Sequence, residues 1–426
     1  MKQKIICCFS LIAVALLTTF LCLPPKDADI LKNTKELKKQ NVLAIMIETG
    51  EATDTYQESI SGSWPTDGYK FNRKLSRCTN GGELSWDKEK KIVSLSGNSD
   101  DKCYVYFDVG VESIADYCDT GTDLATCVKN FGDQGSAISN IYIHNSSLAN
   151  GAGDNSYRYA GASDKVNNFV CFGSKETPCP TDNLYRIIGV IDDKVKLIKY
   201  DYATNALLGT DGDYKGSNTP FASYYKGSLT SIDVYYWNYK NNTSINNGYG
   251  SNIWSTSLLN KINLNTNYLN NIGTTWSNLI EDATWKVSGH TNSGVTPSEM
   301  YTREITNATK TYGPSDGTSK IGLMYVSDYG FAASPSAWTK TLFKYDGNDA
   351  NGTSIKTINW MYMGYYDWMI SRYSAYSNYA FFVNYLGSVV NLIVSHYDGV
   401  RPSFNLSSSI TYVSGSGSAV DPIRVN

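Results

Sequence analysis

Between residues 41 and 110 apolar residues come in short blocks, VLAIMI, YKFNRKL, KKIVSLSG and KCYVYFDV, with turn-forming residues between them. Blocks that run or alternate over strand lengths predict a small antiparallel β domain at 41–110, with Asn80-Gly81-Gly82 and the charged 87–90 as turns. Trp64 and Trp86 fit best as packing residues of that domain. Ahead of it, residues 5–23 (IICCFSLIAVALLTTFLCL) carry no charge and are long enough for a helix to cross a hydrocarbon core. They predict an N-terminal transmembrane helix, an uncleaved signal anchor over 1–23, followed by a stalk at 24–40. Lys26, Lys32, Lys35, Lys38 and Lys39 follow the span, but large domains cross a membrane largely regardless of flanking charge. The body is therefore expected outside the cell, at the cell membrane and tethered by a single pass.

Residues 111–162 read as a connector, with helical spacing at Ile114, Tyr117, Leu124 and Val128 and then a Gly- and Asn-rich stretch. From 163 to 426 the pattern predicts a larger α+β domain. LYRIIGVI-DD-KVKLIKYDY, residues 184–202, is its clearest hairpin, turning at Asp192-Asp193, and its unbroken apolar runs imply burial on both faces. Amphipathic spacing predicts helices at 253–269 and 276–285, and KIGLMYVSDYGFA, residues 320–332, reads as a buried strand ending at Asp328. The fold class is thus α+β and β-rich.

Charged residues are only 18% of the chain while aromatics reach 13%, with 33 Tyr, so solubility rests on Asn, Ser, Thr and Gly. A net charge of -3 argues against a nucleic-acid binder, which would need a basic face. Apart from Cys7, Cys8 and Cys22 in the apolar run, the cysteines are Cys78, Cys103, Cys118, Cys127, Cys171 and Cys179, with no C-x-x-C pair for zinc or redox work. Sequential pairing, Cys78 with Cys103, Cys118 with Cys127 and Cys171 with Cys179, closes the shortest loops and fits an oxidising compartment.

Residues 360–406 concentrate aromatic rings among Ser, Gly and Asn, the composition of recognition surfaces. The candidate ligand-binding residues are Trp360, Tyr362, Tyr365, Tyr366, Tyr373, Tyr376, Tyr379 and Tyr397. Burying all of them would require a partner for every phenol, which favours an outward-facing set. Arg401, in G-V-R-P-S, fits a structural role satisfying buried carbonyls or an acid. No catalytic constellation is found. His144, His290 and His396 lie in no H-E-x-x-H, Gly415 to Ala419 lacks the strand-to-helix context of a nucleophile elbow, and neither Asp211-Gly212-Asp213 nor 346–352 completes an EF-hand. No cofactor, metal or nucleotide is implied.

The strings YQESISGSWPTDGYKFNRKLSRCTNGGELSWDKEKKIV, DKCYVYF, LANGAGDNSYRYAGA, CFGSKETPCP, NLYRIIGV, IGLMYVSDYG and GVRPSFNL together resemble membrane-anchored surface proteins of gut Firmicutes that carry a C-terminal domain of unknown function. Such domains are marked by a W-x-x-S-x run, here 368–372, a Tyr-Asn-rich segment, here 373–384, and a closing V-R-P-x-x-x-L, here 400–406. The layout is similar to C-type-lectin-like and formylglycine-generating-enzyme-like domains, which implies a final strand returning beside the first. The E-P-N, Q-P-D and W-N-D triplets of calcium-dependent lectins are absent, and the last cysteine, Cys179, is too early for formylglycine-type chemistry. The expected function is adhesin-like binding of a glycan, peptide or host molecule, with a self-associating envelope or fibre subunit as the alternative.

Overall fold

The computed structural model describes residues 43–59, 64–65, 68–87, 90, 92–96, 101–308, 316–345 and 355–426. The predicted anchor and stalk lie outside these residues, as do 346–352. Among the described residues no helix is long and apolar enough to cross a membrane. The chain is mixed α+β and strand-rich, and it divides into two units at Glu112/Ser113.

In the first unit the four apolar blocks all form strands, but the sheet is not purely antiparallel. Leu43–Glu48 and Cys103–Val109 run parallel at its centre, flanked by antiparallel Tyr56–Glu58 and Tyr69–Phe71. The unit's first and last strands meet, which no hairpin could do, and this corrects the expected all-antiparallel order. Trp64 and Trp86 pack on Phe107, with ring centroids 5.9 and 5.2 Å away, beside Ile45, Phe71 and Val105. Cys78 is bonded to Cys103. Asp101 sits beside these sulfurs but accepts from the backbone of Asn80 and Gly82 and from Thr79, so it pins the 79–82 turn.

The second unit is organised on an eight-stranded sheet in which the predicted hairpin, Leu184–Ile191 with Lys194–Lys199, is central and buried. Asp192 and Asp193 take φ of 49° and 60°, the doubly left-handed backbone that a two-residue hairpin turn requires. Phe169–Cys171 pairs with Leu184–Ile191 on one side and with the C-terminal strand Ile423–Val425, in parallel, on the other. The chain end thus closes beside the first long strands. The remaining disulfides, Cys118–Cys127 and Cys171–Cys179, lie in this unit.

Three expectations need correction here. Residues 113–162 are no connector: the helix Leu124–Gly132 buries Leu124, Cys127, Val128 and Phe131 in the main core, and Ile141–Ile143 and Tyr157–Tyr159 join the large sheet. Asp123 caps that helix through the Thr126 N–H at 2.7 Å. The 276–285 segment contains only a short helix, Thr274–Ser277; Trp285 lies in a strand, Ala283–Lys286, paired with Asp316–Ser319. The supposed strand at 320–332 ends in a helix, Val326–Phe331, because acids supplied by the fold satisfy its free N–H groups. Glu304 accepts from Val326 and Ser327 at 2.9 and 3.0 Å, and Asp328 from Tyr325 at 3.0 Å. At 253–269 the predicted helix forms, beginning as a tight turn at Trp254–Thr256 and widening to a π-type coil over Leu259–Tyr268. Asp213 takes the N–H groups of Leu258 and Leu259 at its start, which settles the role of Asp211-Gly212-Asp213 as a cap.

Asp193 carries only a solvent-exposed ion pair to Lys129, worth little. Replacing Asp192-Asp193 by Asn-Gly should therefore stabilise the chain by about 0.5–1 kcal/mol in urea unfolding, and Val at either position should destabilise it.

Candidate functional site

The eight candidate rings do not share one face. Trp360 and Tyr365 are interior, 1% and 2% exposed, which corrects the reading of an entirely outward set. Trp360 donates its indole N–H to the Tyr159 carbonyl at 2.8 Å and covers the Arg186 guanidinium, whose other face lies on Phe169. Tyr365 receives Asn218 Nδ2 on its hydroxyl at 2.8 Å, and Tyr202 donates to its carbonyl at 3.1 Å. Tyr362 is half-buried and donates to the Tyr385 carbonyl. Backbone carbonyls absorb many phenols at once, so abundant buried tyrosines are affordable without matching side chains.

The remaining five form two groups. Tyr373, Tyr376 and Tyr379 cluster around a turn, with Tyr376 57% exposed and ring centroids 5.3–6.1 Å apart. Buried Asn252 fixes that turn by donating to the carbonyls of all three. Tyr366 and Tyr397 belong to a longer row that includes residues the sequence did not single out. Phe221 lies 4.4 Å from Tyr385 and 5.5 Å from Tyr366; Tyr366 lies 6.3 Å from His396; His396 stacks on Tyr397 at 5.1 Å; Tyr397 lies 6.1 Å from Tyr236. Phe221 is 43% exposed and the others are partly exposed. The row is assembled from the 221–224 loop, the short sheet of Ile232–Tyr236 with Tyr397–Asp398, and the turns at 365–366 and 385.

Its rigidity comes from below. Gly364, at φ +79°, lets the 221–224 loop close in: a Cβ there would stand 1.9 Å from the Ser223 carbonyl oxygen. Ser223 Oγ donates to the Gly364 carbonyl at 2.7 Å. His396 Nδ1 is 3.1 Å from Asp398 Oδ1, and although burial disfavours the imidazolium, this carboxylate raises the histidine pKa overall. Arg401 supports the neighbouring strand end, with Nε 2.6 Å from Asp367 Oδ2 and Nη2 2.8 Å from the Met361 carbonyl, all buried.

A second feature is a cavity of about 430 Å³ walled by Trp285, Tyr301 and Tyr325 over a charged floor of Arg158, Lys196 and Asp328. Arg158 reaches Asp328 Oδ1 at 3.1 Å, Asp154 Oδ2 at 2.9 Å and Ser156 Oγ at 2.8 Å, and Lys196 Nζ lies 2.6 Å from Asp328 Oδ2. Tyr301 donates to Asp154 at 2.8 Å. Burial alone would raise Asp154, but the Arg158 charge together with hydrogen bonds from Ser156 and Tyr301 outweighs it and holds the acid at about 2. Burial lifts the neighbouring Glu304 to about 7 and pushes the Lys196 ammonium down. These floor groups are paired with one another, whereas the rings of the row are partly exposed. His144, a fully buried histidine, is pushed down to about 3 by burial and accepts the Ala152 N–H, a neutral packing residue.

Two outcomes follow from these environments. Arg401→Met should cost about 3–5 kcal/mol in urea unfolding, because it strands the buried Asp367 carboxylate. Glu304 keeps its proton in the folded chain to a higher pH than the usual 4.5, so its contribution to stability is full below about 4.5 and fades as pH rises through about 7. Glu304→Gln should flatten that fall, and melts of wild type and variant across this range measure the difference. Comparison of the chain with known proteins finds no matching family model, no similar curated protein and no similar solved structure.

Proposed function

We propose that the second unit is a non-catalytic binding module of a surface-anchored protein, and that it recognises glycans through the row Phe221, Tyr385, Tyr366, His396, Tyr397 and Tyr236. The observation that carries this reading is the row itself: successive rings 4.4–6.3 Å apart, partly exposed and locked from beneath. Tyr and His present an apolar body with a polar tip, which suits the mixed apolar and hydroxylated faces of sugar rings, and rigid aromatics lose little entropy on binding. Lys215 Nζ, 5.3 Å from the Tyr397 ring centroid, adds a cation at one end. The three disulfides favour an oxidising, extracellular setting, and the apolar 5–23 run supplies the tether.

A glycan array followed by calorimetry tests this. Tyr366→Ala combined with Tyr397→Ala should weaken binding at least about tenfold, roughly 1.4 kcal/mol, while Tyr376→Ala leaves it unchanged. A wild-type chain that binds no glycan, or a folded double variant that binds equally well, overturns the proposal. Concentration-dependent assembly lost in the same double variant would instead favour the envelope-subunit reading.

A further inference from the structure

We infer that Lys196 and Asp328 condense into an intramolecular amide, a covalent cross-link between the central hairpin and the helix Val326–Phe331. The two groups are already in contact, Nζ to Oδ2 at 2.6 Å, with side chains 6% and 2% exposed. They are enclosed by rings: Nζ lies 4.4 Å from the Tyr325 centroid and 5.3 Å from that of Trp285. A salt bridge in such a place has lost most of its hydration, so the charged pair gains little over the neutral amine and acid.

The surrounding groups favour the reaction. Arg158 is shared between Asp154 at 2.9 Å and Asp328 at 3.1 Å. Burial lowers the Lys196 pKa, which frees the amine lone pair. Arg158 Nη1, 3.1 Å from Oδ1, stands where negative charge develops on that oxygen during attack. The Tyr325 N–H, 3.0 Å from Oδ2, steadies the departing oxygen.

The step balances without a co-reactant. The Lys196 ammonium gives one proton to the Asp328 carboxylate, and the resulting amine attacks Cγ. The Nζ–Cγ bond forms, the Cγ–Oδ2 bond breaks, Oδ2 leaves as water with a second proton from Nζ, and Oδ1 remains as the amide oxygen. Ammonium and carboxylate become amide and one water, with no change of oxidation state. The cavity above the pair gives that water an exit. The partners are 132 residues apart, so the link would restrict the unfolded chain strongly.

Peptide mapping of the full, denatured and reduced chain decides the matter. Trypsin should fail to cut after Lys196 and should release VKLIK (195–199) joined to IGLMYVSDYGFAASPSAWTK (321–340), at the summed mass less one water. Lys196→Arg, which keeps the cation, should yield the two segments separately. Cleavage after Lys196 in the wild type, with free 321–340 peptide and no joined species, overturns the inference.

Discussion

Asp328 is the point on which the second unit turns. Its carboxyl gathers Arg158 from the Tyr157–Tyr159 strand, Lys196 from the central hairpin and the Tyr325 N–H at the start of its own helix. Three elements far apart in sequence are thereby fixed to one group. While the chain folds, each of these groups would be costly in so apolar an interior without its partners, so each element can occupy its place only if the others occupy theirs. Glu304 extends the arrangement, accepting the next two N–H groups of the helix and a hydroxyl from Ser371. The buried charges of this region thus serve to position elements.

The phenols obey the same requirement by a different route. Tyr329 donates to the Gly387 carbonyl, Tyr345 to that of Ala337 and Tyr235 to that of Gly209, while Tyr185 and Tyr268 bond each other. Backbone carbonyls thus take up tyrosine hydroxyls, and a tyrosine-rich core becomes compatible with irregular backbone. Among the described residues, Tyr104, Phe221, Tyr225, Tyr249, Phe343 and Tyr376 are the exposed aromatic rings, and Tyr236, Tyr366, Tyr385 and Tyr397 are partly exposed.

Local pattern revealed much of this chain. The four strand-forming apolar blocks of the first unit, the hairpin at Asp192-Asp193 and the helix after Asp123 are visible because periodicity and turn chemistry act over a few residues. What stayed hidden depends on distant partners. Val326–Phe331 has the apolar continuity of a strand and becomes helical because Glu304 and its own Asp328 satisfy the helix start. Residues 113–162 have a linker's composition, yet their few apolar positions complete the main core. Within the candidate site, Tyr366 and Tyr397 were recognisable from aromatic density, but Trp360 and Tyr365 were indistinguishable from them until tertiary contacts placed them inside. Phe221 and Tyr236 sit in unremarkable segments, and Tyr385 and His396, though inside the aromatic 360–406 stretch, gain meaning only by adjacency. A charge inside an apolar run was the available signal for the buried cluster: Arg158 in YRY, Lys196 in KVKLIK and Asp328 in MYVSDYGF.

Recognition by the Phe221–Tyr236 row is the central claim, and tyrosine-ring resonances followed by NMR during titration with an array-identified oligosaccharide test it most directly. The account predicts saturable shifts at Tyr236, Tyr366, Tyr385 and Tyr397, with Tyr373, Tyr376 and Tyr379 unmoved. Shifts confined to the second group, or to Tyr301 and Tyr325 at the cavity, would contradict it.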